Sequence, residues 1–350
     1  MTDDANDLRP LRWGVLGTGF MPQHESVRSI NSAGSSEVVA VLSSRQERAD
    51  EFAAEFGIPH AYDSLERMLA ETQLDAVMVS TTNELHKPQT LAAAAAGKHV
   101  LCEKPLATSL ADAVEMVKAC RDAGVLLGTN HFRRSKTSIQ RVRSLIATGA
   151  IGDPLYARAT TAGYLGAGQQ TWRLDEEDGG GVILDVMVHD IDLLRYVLDD
   201  HVTEVQAVAT RSGLLAGHLA DLATSTMTFA NGAIGSSTVS YCTPGGVASL
   251  EVLGSSGSIL ARDVLDERLG GEIEVRREGR LIERITLSDE VDHFVDAIVQ
   301  FNAAIRGAGV PATSGADGVH SMAVAIAAAE SVKSGCAVAV PDVAAALAGA

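Results

Sequence analysis

The chain has 350 residues, enough for about two domains of ordinary size. Hydrophobic residues make up 46% and charged residues 21%, a globular balance that excludes a disordered chain. The formal net charge is -17, and no Lys/Arg block offsets it, which argues against nucleic acid or an anionic membrane as a partner.

The chain opens on Met1-Thr2-Asp3-Asp4-Ala5-Asn6-Asp7, too acidic for a signal peptide. No apolar run approaches the ~20 residues of a membrane span. These features predict a cytoplasmic location. The first apolar run, Trp13–Leu16, ends at Gly17-Thr18-Gly19, and a helical stretch follows. Val38–Leu42 is continuous and apolar, the pattern of a parallel strand covered on both faces. Helix 47–56 follows, with Gly57 where a C-cap belongs. Strand 76–80, helix 87–96, strand 100–102, helix 110–123 and strand 125–128 continue the alternation. That rhythm predicts an α/β domain, a Rossmann-type doubly wound parallel sheet, over residues 9–130.

The rhythm changes beyond residue 130. Helix 139–147, strand 155–161 and helix 182–197 precede a series of alternating, turn-bounded segments between 205 and 286. Helices at 291–305 and 319–333 come next, and the Ala-rich tail 343–350 reads as frayed. The pattern predicts an α+β domain with a mostly antiparallel open sheet over residues 131–350. An open sheet face suits a homo-oligomer, a dimer or tetramer. Cysteines at 102, 120, 242 and 336 have no zinc or redox spacing and are expected to be buried free thiols.

Gly17-Thr18-Gly19 lies between a strand and a helix, where glycines permit a tight turn and let the backbone approach a pyrophosphate. Pro22 replaces the third glycine of the usual fingerprint. The acid expected at the end of the second strand, which would bind the ribose 2′-OH of NAD, is also absent. Ser43-Ser44-Arg45-Gln46-Glu47-Arg48 stands there instead. Hydroxyls and guanidiniums suit a 2′-phosphate, so NADP(H) is expected over NAD(H). The alternative is a solvated loop with incidental arginines.

Glu103-Lys104-Pro105 follows a parallel strand, where chemistry in open α/β sheets gathers. The Lys104 ammonium could polarise a carbonyl or hold a forming alkoxide; a surface lysine is the plain alternative. Further on, Gly179-Gly180-Gly181 leads a helix carrying Asp185 and His189 at i, i+4, on one face. A carboxylate beside an imidazole suits a proton donor. A structural Asp–His pair is the alternative; no third ligand supports a metal site.

Taken together, Gly-x-Gly, Glu-Lys-Pro and Gly-Gly-Gly-x-x-x-Asp-x-x-x-His resemble the Gfo/Idh/MocA family of sugar and polyol oxidoreductases over nearly the whole chain. The resemblance implies Lys104, Asp185 and His189 as catalytic residues. It implies cofactor contacts at Gly17, Thr18, Gly19, Phe20, Met21, Ser43, Ser44, Arg45 and Arg48. Further cofactor or cleft positions would be Ser80, Thr81, Thr82, Asn83, His86, Glu103, Lys104, Asn130, Trp172 and Arg173. The implied substrate is a sugar or polyol, turned over with NADP(H), or with NAD(H) as in an inositol dehydrogenase. A catalytically inactive dinucleotide-binding regulator is the rival from another class. Two departures stand out: Phe294 replaces an expected tyrosine, and the loop Tyr164-Leu165-Gly166-Ala167-Gly168 is unusual.

Overall fold

The structure is a computed structural model and describes residues 9–175, 180–265, 270–287 and 291–349. Among these residues the chain forms two compact units. One comprises residues through Phe132, His293–Gly318 and the stretch from Ala346; the other comprises Arg133–Asp292 and Val319–Ala345.

The first unit is built on a parallel sheet. Its strands are β1 (Leu11–Leu16), β2 (Ser36–Leu42), β3 (His60–Tyr62), β4 (Ala76–Val79), β5 (His99–Cys102) and β6 (Leu127–Thr129). Their order is β3-β2-β1-β4-β5-β6, the doubly wound arrangement, with the reversal of direction at β1 and β4. β4 is apolar throughout and β2 and β5 become so after their first residues, the pattern of strands covered on both faces. Helix Gln46–Phe56 ends at Gly57 in the left-handed conformation (φ 68°), and Ser109 caps helix Leu110–Asp122 by accepting from the Asp112 N–H. Strand β3 and the short helix Leu65–Glu71 escaped the sequence reading, being too short for periodicity to register.

The domain expected to end at 130 is not contiguous. Helix His293–Ile305 belongs to the first unit because Ile298 and Phe301 complete its core. Phe301 meets Trp13 at 5.6 Å between ring centroids, and the Trp13 indole N–H donates to Asn302 at 3.1 Å.

The second unit carries a larger, mixed sheet. Its strands are β7 (Pro154–Ala162), β8 (Val202–Thr210), β9 (Leu222–Phe229), β10 (Ile234–Ser240), β11 (Ala248–Gly254), β12 (Gly257–Arg262), β13 (Gly271–Arg277), β14 (Arg280–Leu287) and β15 (Val338–Ala339). The order is β14-β13-β12-β11-β7-β10-β9-β8-β15. All pairings are antiparallel except β7 with β10. Inward residues such as Met227, Phe229, Leu250, Val252 and Ile259 form one core with helices Thr137–Ala147 and Val188–Leu198. The opposite face mixes exposed Thr224, Thr226 and Thr228 with exposed Val208 and Leu253, and carries ion pairs between Arg158 and Glu251 (3.0 Å) and between Arg284 and Glu274 (2.7 Å).

Two expectations need correction. The C-terminal tail is not frayed throughout: Val343–Ala348 forms a helix, anchored by the buried Val343. Cys102, Cys120 and Cys242 are buried free thiols, but Cys336 is exposed, because it falls in the turn after helix Gly315–Ser334. Among the described residues no helix is long and apolar enough to cross a membrane, and no group of three His, Cys, Asp or Glu side chains could hold a metal ion.

Candidate active site

The candidate residues of the first unit lie at the carboxyl ends of adjacent parallel strands, where each backbone N–H extends the ladder past its own strand. Gly17 donates to Leu42 (2.9 Å), Ser43 to Tyr62 (3.0 Å), Ser80 to Leu16 (2.9 Å), Glu103 to Val79 (2.9 Å) and Asn130 to Cys102 (2.7 Å). Five loops are thereby fixed along one edge of the sheet, the edge at which open α/β sheets bind ligands.

The two loop glycines do different things. Gly17 has φ +113°, and a Cβ there would stand 2.4 Å from the Ser80 carbonyl oxygen. The turn therefore needs glycine for its own fold. Gly19 has no such constraint, since a Cβ there would meet nothing within 4 Å. The open space beside an exposed backbone at the start of a helical stretch fits a pyrophosphate. Gly17→Ala is expected to destabilise the protein by about 1 kcal/mol or more. Gly19→Ala should leave the melting temperature unchanged and weaken dinucleotide binding severalfold. Thermal melts and a fluorescence titration with NADPH check both; equal melting temperatures for the two variants contradict the distinction.

After the loop, the half-exposed Phe20 stacks on His24 at 4.2 Å, and Met21 precedes a π-helical turn, Pro22–Ser26, that runs into helix Val27–Ser32. Pro22 is buried in the first turn, where its missing N–H costs nothing. Beyond β2, the Ser43 hydroxyl is buried against that of Thr18 at 3.0 Å, while Ser44, Arg45 and Arg48 are exposed. Arg48 donates to the Thr18 carbonyl at 3.0 Å, which holds its guanidinium beside the glycine loop.

Beyond β4, Ser80 is buried, Thr81 and Asn83 are half-buried and Thr82 is exposed. Thr81 donates to Gln89 at 2.7 Å. His86 sits in the first turn of helix Asn83–Ala95, fully buried. Glu103 and Asn130 are buried together, the Asn130 amide donating to the Glu103 carboxylate at 2.7 Å. Lys104 is half-buried and its peptide bond to Pro105 is cis. Phe294 packs its ring on Phe132 at 4.5 Å, an apolar contact where a tyrosine hydroxyl was expected.

In the second unit, Gly179 lies outside the described residues, and Gly181 takes a positive φ of 76° ahead of a π-helical turn, Ile183–Met187. That turn continues into helix Val188–Leu198, so Asp185 and His189 fall on a locally widened helix, a feature common at functional sites. Both are buried, at 5% and 7% exposure. The Asp185 carboxylate accepts from the Tyr241 hydroxyl and from Arg173 Nε at 3.0 Å. Burial and the neighbouring Asp185 charge push the Tyr241 phenol well above its usual range, so it stays a donor. Trp172 opens the helical turn Trp172–Asp175, and its side chain lies outside the described residues. Tyr241 also lines a cavity of about 390 Å³ at the carboxyl ends of β7 and β10, with Thr161, Tyr164, Val186 and Ser240 among its other walls.

Tyr241 was not singled out from the sequence. It follows a Ser/Thr-rich strand with no motif to mark it, and only the β7–β10 pairing shows that it lies just past the carboxyl end of a strand in a parallel pair. Also unmarked were two buried ion pairs around the His189 helix. Asp190 is fully buried and accepts from Arg133 (2.5 Å), Thr161 (2.7 Å) and Ser237 (2.8 Å). Asp192 accepts from two nitrogens of Arg134, each at 2.7 Å.

Family models match residues 11–131, as the NAD-binding Rossmann fold of an oxidoreductase family, and 139–260, as the GFO/IDH/MocA C-terminal domain. The 1,5-anhydro-D-fructose reductase of Ensifer adhaerens is 40% identical over 326 residues, 93% of this chain and 97% of its own. Myo-inositol 2-dehydrogenase of Thermotoga maritima is 28% identical over 92% and 96% of the two chains. Among solved structures, an aldose-aldose oxidoreductase from Caulobacter crescentus superposes with a TM-score of 0.85 at 25% identity, covering 95% of this chain and all of that one. A levoglucosan dehydrogenase in complex with NADH and levoglucosan, 23% identical, shares the fold with a TM-score of 0.84. With both of its domains matched and a relative this similar along nearly its full length, the chain belongs to the Gfo/Idh/MocA family of NAD(P)-dependent oxidoreductases.

Proposed function

We propose that the protein is an NADP(H)-dependent reductase of a sugar-like ketone, acting on 1,5-anhydro-D-fructose or a close analogue. The observation that carries this reading is the 40% identity to a 1,5-anhydro-D-fructose reductase along 93% of the chain. The cofactor choice rests on the end of β2, where exposed Ser44, Arg45 and Arg48 stand in place of a carboxylate. Guanidiniums bind a 2′-phosphate by charge-assisted hydrogen bonds, whereas an acid there would repel it.

The residues that would hold the dinucleotide are the Gly17–Met21 loop, Ser44, Arg45 and Arg48, the Ser80–Asn83 loop, and Glu103 with Asn130. When bound, the nicotinamide supplies a hydride to the carbonyl carbon. Lys104 donates a charged hydrogen bond to the carbonyl oxygen, where negative charge builds up. His189 delivers the proton that converts the alkoxide to an alcohol, and in reverse it is the base. Asp185, fixed by Tyr241 and Arg173, orients the substrate hydroxyls.

Steady-state kinetics with NADPH and NADH against 1,5-anhydro-D-fructose and a panel of keto-sugars test the reading. NADPH is expected to give the higher kcat/KM, and the double variant Arg45→Ala/Arg48→Ala should lose about tenfold or more of it while NADH is unaffected. Preference for NAD with myo-inositol or another polyol would replace this reading with a dehydrogenase. NADPH binding without turnover of any sugar or polyol would point to a regulator.

A further inference from the structure

His86 is fully buried, on the first turn of helix Asn83–Ala95. Its two ring nitrogens face two backbone carbonyls from different loops. Nδ1 lies 2.9 Å from the Pro105 oxygen, and Nε2 lies 3.3 Å from the Thr81 oxygen. Those loops leave β4 and β5, which pair in parallel. One of them carries Lys104; the other supplies the Ser80–Asn83 stretch.

Burial lowers the imidazole pKa, and the carbonyl acceptors only partly oppose this, so the ring is neutral. A neutral imidazole has one N–H to give. The shorter contact assigns that proton to Nδ1, which donates to the Pro105 carbonyl. No ligand can reach a ring with 0% exposure without first displacing the loops that cover it.

We propose that His86 is a positioning residue: through its Nδ1–H it ties the Pro105 carbonyl of the Glu103–Pro105 loop to the start of helix Asn83–Ala95, directly after the Ser80–Asn83 loop, and so sets the place of Lys104. This rests on the function proposed above, in which Lys104 acts on the carbonyl oxygen. It changes what His86 does in that function. The residue makes no contact with the dinucleotide and acts through the loop that bears the lysine. Misplacing a catalytic group by about an ångström costs up to ~100-fold in rate, so a lost tie should be visible in kcat.

The test compares His86→Leu, which fills the space without a donor, with His86→Asn, whose amide nitrogen falls close to Nδ1. NADPH affinity is measured by fluorescence, kcat with the sugar substrate, and backbone amide exchange by mass spectrometry. His86→Leu should lower kcat about tenfold or more, change the NADPH Kd less than about threefold, and speed exchange in residues 103–107. His86→Asn should restore most of both. A His86→Leu kcat within about twofold of wild type overturns the proposal. So does an NADPH Kd that worsens more than kcat falls, or an asparagine variant no better than leucine. If His86→Leu does not fold, His86→Gln takes its place, since its amide reaches the Nε2 position; asparagine should then outperform glutamine, and the reverse overturns the proposal. If wild type turns over no sugar, the proposed function falls while exchange still decides: unchanged rates in 103–107 reject the tie, and faster rates restored by asparagine support it.

Discussion

Lys104→Met is expected to lower kcat by about 10²–10³ while NADPH still binds with near wild-type affinity, because loss of one oxyanion donor costs roughly that much. Methionine keeps the length and apolar stem of lysine, so the half-buried position is filled and only the ammonium is lost. His189→Asn should fall by about 10²–10⁴, the range for a general acid. Since both groups serve the same oxygen in the proposed reaction, the double variant should lose less than the product of the two single losses. Single-turnover kinetics under saturating NADPH, alongside a fluorescence titration, separate binding from chemistry. A Lys104→Met enzyme with unchanged kcat and a raised NADPH Kd would move the lysine from the reaction to cofactor binding.

The second large effect concerns stability. Arg133→Met removes the guanidinium from a fully buried Asp190 and leaves the carboxylate with two hydroxyl donors, Thr161 and Ser237. An uncompensated buried charge costs about 3–5 kcal/mol. At ~2–4 °C per kcal/mol for a unit of this size, the melting temperature should drop by roughly 10 °C. Burial already pushes the Asp190 carboxyl pKa upward, with Arg133, Thr161 and Ser237 opposing it. Without Arg133 the carboxyl should go further up and take a proton more readily. Arg133→Met should therefore lose less stability, relative to wild type, as the pH is lowered. The double variant Arg133→Met/Asp190→Asn carries no charge at either of these two positions and should recover most of the loss. Melts of the four proteins between pH 5 and pH 8 check this (wild type, each single variant and the double). A double variant no more stable than Arg133→Met would place the cost in lost packing instead.

Much of the first unit could be read from the chain, because its signals are local. Apolar runs such as Val38–Leu42, and the glycines at 57, 97 and 124 that follow helices, each report on a few neighbouring residues. The glycine loop and Glu103-Lys104-Pro105 stood out because strand and helix flank them. Elements shorter than one period of any pattern, such as β3, gave no such signal. Nor did the π-helical turn at Ile183–Met187, which leaves the i, i+4 spacing of Asp185 and His189 looking like ordinary helix.

The sequence by itself determined the alternation of strand and helix, the two classes of sheet, the glycine loop after β1 and the residues proposed for catalysis. Tertiary structure alone decided that helix His293–Ile305 belongs to the first unit's core, since a helix shows its apolar face in sequence but not the surface that face will cover. It decided that Tyr241 and Arg173 hold Asp185, that Arg133 and Arg134 neutralise Asp190 and Asp192, and that His86 is buried with its ring against the Pro105 and Thr81 carbonyls. The physical reason is common to these cases. A hydrogen bond or ion pair acts over a few ångströms, and its partners here are separated by 12 to 58 residues along the chain, a distance that no local pattern encodes.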